Sequence, residues 1–195
     1  MNGTLFYFFA AAFVLCLVYV CFAAALYAAR YAARTYWRFR GRRVVVCPET
    51  RRPVAVEVDA GHAAVTAFMG ERELVLNTCT RWPERAGCDQ DCLFQIERAP
   101  EDCLVRNMLN DFYRDRPCAF CGRVVGEVGL TDHKPAFLSP ERLILEWAEV
   151  APERLPEVFG THSAVCWNCQ VAESFRAEHP ELITDRRPHA DHTYV

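Results

Sequence analysis

The sequence predicts an α+β body carried behind a single N-terminal transmembrane helix. Three observations lead there. Near the start lies an uncharged apolar run of 25 residues, short alternating valine strands are interleaved with helical patterns, and four of the eleven cysteines form two C-x2-C pairs. At 195 residues the chain has room for one or two small domains. The expected organisation is an anchor over 1–29, a basic juxtamembrane segment over 30–43, and a cysteine-containing α+β subdomain over 44–116. A second cysteine subdomain follows over 117–183, and a mobile polar tail over 184–195.

Leu5 to Ala29 is dominated by Leu, Val, Phe, Tyr and Ala, and about twenty such residues span a bilayer's hydrocarbon core as a helix. Arg30, Arg34, Arg38, Arg40, Arg42 and Arg43 follow, and no basic residue precedes the run. The positive-inside rule then places the N-terminus outside and the body in the cytoplasm, as a single-pass protein of the inner or cytoplasmic membrane. Tyr27, Tyr31, Tyr36 and Trp37 fall near headgroup level. The rival reading, a secretory signal cleaved near Ala23–Ala25, lacks a basic n-region and has too long an apolar core. Ala24, Ala28 and Ala32, and likewise Ala25, Ala29 and Ala33, recur at fourfold spacing, which suits a second membrane helix from a partner or complex. Cys16 and Cys21 inside the run read as packing residues.

Charge is divided unevenly along the chain. Residues 1–48 hold six arginines and no carboxylate; the rest holds sixteen Lys+Arg against twenty-five Asp+Glu, a net of −9. A body so acidic has no basic footprint for phosphates, so nucleic acid is excluded as a general partner. In a reducing cytoplasm, and with an odd cysteine count, metal ligands or free thiols are expected ahead of disulfides.

Val44–Val58 reads as two strands joined by a proline-bearing turn, with Val54, Val56 and Val58 alternating on one face. Asp59 is expected to cap a short helix through His62 and Phe68 that stops at Gly70. A strand over Glu73–Asn77 leads to Cys79, and Asp89–Glu97 is expected to be helical, with Cys88 and Cys92 on one face near its start. Cys47, Cys79, Cys88 and Cys92 are therefore expected to form a second metal centre, for zinc or alternatively for an iron–sulfur cluster. Cys103 follows an acidic helix start at Pro100–Asp102 and reads as a buried core thiol, or as a substitute ligand for Cys47.

The pairs Cys118-Ala-Phe-Cys121 and Cys166-Trp-Asn-Cys169 are the stronger signal. Two residues between cysteines let both thiolates of a tight turn point at one ion, and two such turns supply four ligands. An all-sulfur tetrahedral set suits Zn²⁺, or a single Fe, and leaves no coordination position for a substrate. Gly122 ends the first turn, and Arg123–Val128 is strand-like. The segment from Cys166 has a helical pattern, with Trp167, Val171 and Phe175 at fourfold spacing and a stop at Pro180. A cysteine turn, a hairpin and a helix with two ligands at its start resemble the treble-clef and zinc-ribbon group of zinc folds over residues 117–179. The resemblance implies Cys118, Cys121, Cys166 and Cys169 as its ligands. The 44 residues between the pairs exceed a minimal ribbon.

Arg142–Trp147 reads as a strand, and Pro152–Phe159 as a short helix stopped by Gly160. His133 and His162 are the histidines nearest the pairs in sequence and are secondary ligand candidates; His189 and His192 form a weak pair in the tail. Neither C-x2-C is followed by His, which excludes covalent haem, and no catalytic or phosphate-binding motif is present. The expected role is a non-enzymatic, membrane-anchored zinc protein acting as a structural or interaction (accessory) subunit of a membrane complex. The alternatives are an iron–sulfur electron-transfer subunit and a metal or redox sensor.

Overall fold

The computed structural model describes residues 2–85, 87–129 and 133–182. It mixes helices with two small sheets and divides into two compact units, Met1–Val105 and Arg106–Val195. The tail with His189 and His192 lies outside the described residues.

The first unit begins with helix α1 (Asn2–Phe39), which continues unbroken through the first arginines. Its Tyr7–Phe39 portion is long and apolar enough to cross a membrane, with a mean hydropathy of 2.6 in its best window and none of that window buried. The C-terminal third of α1 is covered along one stripe. Ala28 and Ala32 are half-buried, and Thr35 and Phe39 are buried. Against this stripe packs helix α2 (Ala60–Met69), through its buried Ala60, Ala63 and Ala67. Small side chains on both partners allow a close approach, and Ala60 shares a core cluster with Phe39. Ala28 and Ala32 are thus partly covered within the chain itself, whereas Ala25, Ala29 and Ala33 are exposed.

Strands β1 (Arg42–Val46), β2 (Pro53–Val58) and β3 (Leu76–Cys79) form an antiparallel sheet in that order. Val44 pairs with Ala55 and Val46 with Pro53. The cap of α2 is as expected: Asp59 Oδ1 accepts from the His62 N–H at 2.8 Å, and Gly70 closes the helix at φ +109°. Strand β3 starts three residues later than the sequence suggests, because it pairs with β2 across an irregularity at Glu57/Val58.

Helix α3 (Leu93–Arg98) is shorter than the Asp89–Glu97 expectation. Cys92 is its N-cap, and Cys88 lies outside it in a loop that turns at Gln90, φ +57°. The two thiols do not share a helix face. Helix α4 (Val105–Tyr113) likewise begins after the acidic start expected at Pro100, because residues 101–103 form turns.

In the second unit, β4 (Ala136–Leu138) lies between β5 (Ile144–Glu146) and β6 (Ser163–Val165), antiparallel to both. Phe112 and Tyr113 of α4 pack with Phe137 and Phe159, with ring centroids 4.8–5.5 Å apart. A 3-10 turn (Pro152–Arg154) leads into α5 (Leu155–Thr161), which runs through Gly160 instead of stopping there. Arg123–Val128 is not a strand: one bridge, Pro117 to Val124, is made before Gly126 leaves extended geometry at φ +82°. Helix α6 (Trp167–Glu178) ends before Pro180, as expected. Its Val171 and Phe175 are exposed, and the buried residue on it is Gln170.

Candidate metal centre

The first cysteine pair sits in a turn locked by its own backbone. Cys118 N–H donates to the Arg123 carbonyl at 2.8 Å, and Gly122 N–H returns to the Cys118 carbonyl at 2.9 Å. Gly122 adopts φ +71°, the left-handed conformation that closes such a turn. The second pair straddles a helix start: Cys166 is the N-cap of α6, and Cys169 follows in its first turn. Two contacts draw the turns together. Ala119 N–H donates to the Ala164 carbonyl of β6 at 2.8 Å, and Cys166 N–H donates to Cys118 Sγ at 3.3 Å.

As a result, the sulfurs of Cys118, Cys121, Cys166 and Cys169 all lie within 4.8 Å of one another, close enough to hold a metal ion. Cys121 Sγ and Cys166 Sγ are 3.8 Å apart. A tetrahedron with Zn–S bonds of about 2.3 Å has edges of about 3.8 Å, whereas a disulfide needs about 2.05 Å. All eleven cysteines are free thiols. The donor set therefore fits one soft or borderline-soft ion and completes its coordination sphere with thiolates alone.

Local electrostatics divide the four thiols. Hydrogen bonds from Arg123, first from its backbone N–H and then from its side chain, draw the exposed Cys121 down to about 6. Burial works against the Cys118 thiolate, but the N–H groups of Cys166, Cys121 and Phe120 outweigh it and lower its pKa. Cys166 is raised, chiefly by burial. Cys169 is pushed up to about 12 by burial and by the neighbouring thiols. Such a split is what four converging sulfurs produce when no cation neutralises them.

Neither secondary histidine belongs to this cluster. His133 stacks on Trp167 with a centroid separation of 4.8 Å, and His162 contacts Thr161 Oγ1 at 2.8 Å and the edge of Phe137.

The other expected group lies in the first unit. Cys47 in the β1–β2 turn, Cys79 at the end of β3, Cys88 in the following loop and Cys92 at the cap of α3 line one cavity of about 50 Å³. The two amide groups of Gln95 and Gln90 hold the pieces in place. Gln95 bonds both backbone groups of Val46 at 2.7 and 3.1 Å, and Gln90 Oε1 accepts from Leu76 N–H at 2.9 Å. Cys92 is pushed up to about 11 by burial and by the charges of Cys79, Cys88 and Cys47. Cys47 is drawn down to about 7: burial opposes this, but Thr50, the Glu49 N–H and Arg81 together prevail.

Cys103 stands apart. Its thiol donates to the Ala99 and Pro100 carbonyls at 3.4 and 3.6 Å, the setting of a half-buried core thiol.

Sequence reasoning missed two arginines. Arg81 donates to Cys47 Sγ at 3.0 Å and to Glu49 at 2.9 Å, although its place two residues after Cys79 was a usable signal. Arg43, grouped with the juxtamembrane arginines, is fully buried. No family model, curated protein or solved structure matches this chain, so the chemistry of its sites has to be read from its own residues.

Proposed function

We propose that the chain is a membrane-anchored zinc protein that acts as a structural or interaction subunit of a membrane complex, with its body on the cytoplasmic side. The observation that carries this reading is the closed four-sulfur cluster of Cys118, Cys121, Cys166 and Cys169. Four thiolates fill a tetrahedral ion's sphere and leave no position for water or substrate, which suits a structural metal and not a catalytic one. The cysteine turn, the β4–β5 hairpin and a helix bearing two cysteines at its start support a treble-clef-like reading of the second unit.

Two exposed features suit an interaction role. On α6, Val171 and Phe175 are 45% and 50% exposed, an apolar strip one turn long beside the metal cluster. On α1, Ala25, Ala29 and Ala33 offer a small-residue face at the cytoplasmic end of the span. The net charge of −9 beyond residue 48 favours a basic partner surface.

The test is purification of the full chain from its native membrane in mild detergent, with metal analysis and identification of stoichiometric companions. Zinc in the protein, a colourless spectrum and a companion that is lost in a Val171→Asp/Phe175→Asp double variant are the expected results. A brown protein containing iron and acid-labile sulfide would establish the electron-transfer alternative. Zinc that exchanges within seconds would point to sensing, and a chain that remains alone in every extract would remove the subunit role.

A further inference from the structure

We infer that the cavity between Cys47, Cys79, Cys88 and Cys92 is a second four-thiolate site, built for one tetrahedral ion of the zinc class and supported from outside by Arg81 and Trp82. The inference goes beyond the membrane-subunit reading and is independent of where the protein resides.

Four features of the first unit carry it. The first is convergence: cysteines from a hairpin turn, a strand end, a loop and a helix cap, spread over 46 residues, line one small cavity. Among the described residues the Cys118 group is the one whose ligand atoms already lie close enough to hold an ion; here the four cysteines border a shared space that an ion would draw closed.

The second is the way one cysteine is held. Cys47 N–H donates to the Arg52 carbonyl at 2.9 Å and Arg51 N–H returns to the Cys47 carbonyl at 2.8 Å, with Arg51 at φ +54°. Cys118 is held by the same turn at the same offsets, closed by Arg123 and by Gly122 at φ +71°. The turn that serves the first cluster is thus built a second time around Cys47.

The third is unspent donor capacity around the cavity. Arg81 donates to Cys47 Sγ at 3.0 Å while Glu49 anchors the same guanidinium at 2.9 Å, and Arg85 reinforces Glu49 at 3.4 Å. Trp82, which lines the same cavity, keeps a buried indole N–H with no partner. Four thiolates around a divalent ion retain two negative charges, which an adjacent cation and a spare N–H donor would offset.

The fourth is size. A cavity of about 50 Å³ has room for a single ion between the four cysteines.

The experiment uses the full chain in detergent under reducing conditions. Metal per chain is counted, and cobalt(II) replaces the native ion so that each site reports by its absorption. Wild type should bind two ions, both with the intense visible bands of tetrahedral thiolate coordination. Cys88→Ser/Cys92→Ser should bind one, and the ion it retains shows that the second unit still folds. Cys118→Ser/Cys121→Ser should bind the complementary one. Arg81→Met should keep two ions but weaken the second about 10–100-fold in a chelator competition, with Arg81→Lys in between. A wild-type count of one ion would overturn the inference whatever the variants do. So would iron with labile sulfide, or an unchanged count in Cys88→Ser/Cys92→Ser.

Discussion

Replacing Arg43 with Met should loosen the joint between α1 and the rest of the first unit. The guanidinium is fully buried and donates to four backbone carbonyls: those of Phe39 at 2.6 Å, Gly41 at 2.9 Å, Pro100 at 3.3 Å, and Arg38. Arg38 and Phe39 belong to the last turn of α1, where helix carbonyls have no partner of their own. One side chain therefore caps the helix and ties it to the segment before α4. Methionine keeps the length of the apolar stem but leaves all four carbonyls without this donor. Hydrogen bonds to a charged group contribute about 1.5–3 kcal/mol each, but water entry and the relieved cost of burying a charge offset part of the gross sum. The net loss should be about 3–5 kcal/mol, the usual cost of breaking a buried charged network. For a unit of this size that lowers Tm by upwards of about 12 °C. The assay is thermal and denaturant unfolding of the full chain in detergent, with hydrogen exchange resolving the end of α1. The control is Arg42→Met, which removes only the exposed pair to Glu57 at 3.0 Å and should cost about 0–1 kcal/mol. If the two variants prove equally stable, Arg43 is not the joint.

Three further outcomes follow from the second unit. Phe137→Ala should destabilise it by about 3–5 kcal/mol in denaturant titrations, because Phe137 is completely buried and touches the rings of Phe112 and Tyr113. Gly122→Ala should cost about 1–2 kcal/mol and hasten metal loss to a chelator; nothing lies within 4 Å of the added Cβ, so the cost comes from φ +71° alone. Zinc binding to the first cluster at pH 7 should release at least two protons, those of the raised Cys166 and Cys169. Below the Cys121 value of about 6 a further proton must leave. Affinity should therefore fall as pH falls, and more steeply under pH 6, as read by calorimetry in buffers of different ionisation enthalpy.

What the sequence made legible was whatever is encoded within a few residues. The Cys118 and Cys166 turns, the β1–β2 hairpin, the Asp59 and Gly70 caps and the stop before Pro180 all follow from adjacent chemistry, and each stands where expected. Where geometry depends on partners distant in sequence, local pattern failed. Cys88 reaches its cavity through a left-handed Gln90 fixed by the β3 backbone, not through a shared helix face. Arg123–Val128 has strand-like composition, but its pairing stops at the Pro117–Val124 bridge, where the Val125 N–H donates to the Arg116 carbonyl at 3.0 Å, and the Val128 N–H turns to Asn110 Oδ1 at 3.1 Å. Arg43 looked like one more headgroup arginine. The overlooked signal was its alternation with Val45 and Cys47, which puts it on the inward face of β1.

The second unit also shows why cysteines occupy the positions they do. Its large side chains, Phe112, Tyr113, Phe137 and Phe159, pack with one another around α4, β4 and α5. The cluster at the cysteines is small by comparison, with only Cys118, Ala136 and Val165 buried and a rim of partly buried residues. Burying a few small apolar side chains contributes too little to hold a turn and a 12-residue helix against a sheet edge. Nor is α6 held by its own apolar stripe, since Val171 and Phe175 face outward. Directional contacts therefore fix its first turn: Gln170 Nε2 donates to Glu146 Oε1 of β5 at 3.0 Å, and beside it four sulfurs gather within 4.8 Å. An ion bound between them would do for α6 what the aromatic cluster does for α4.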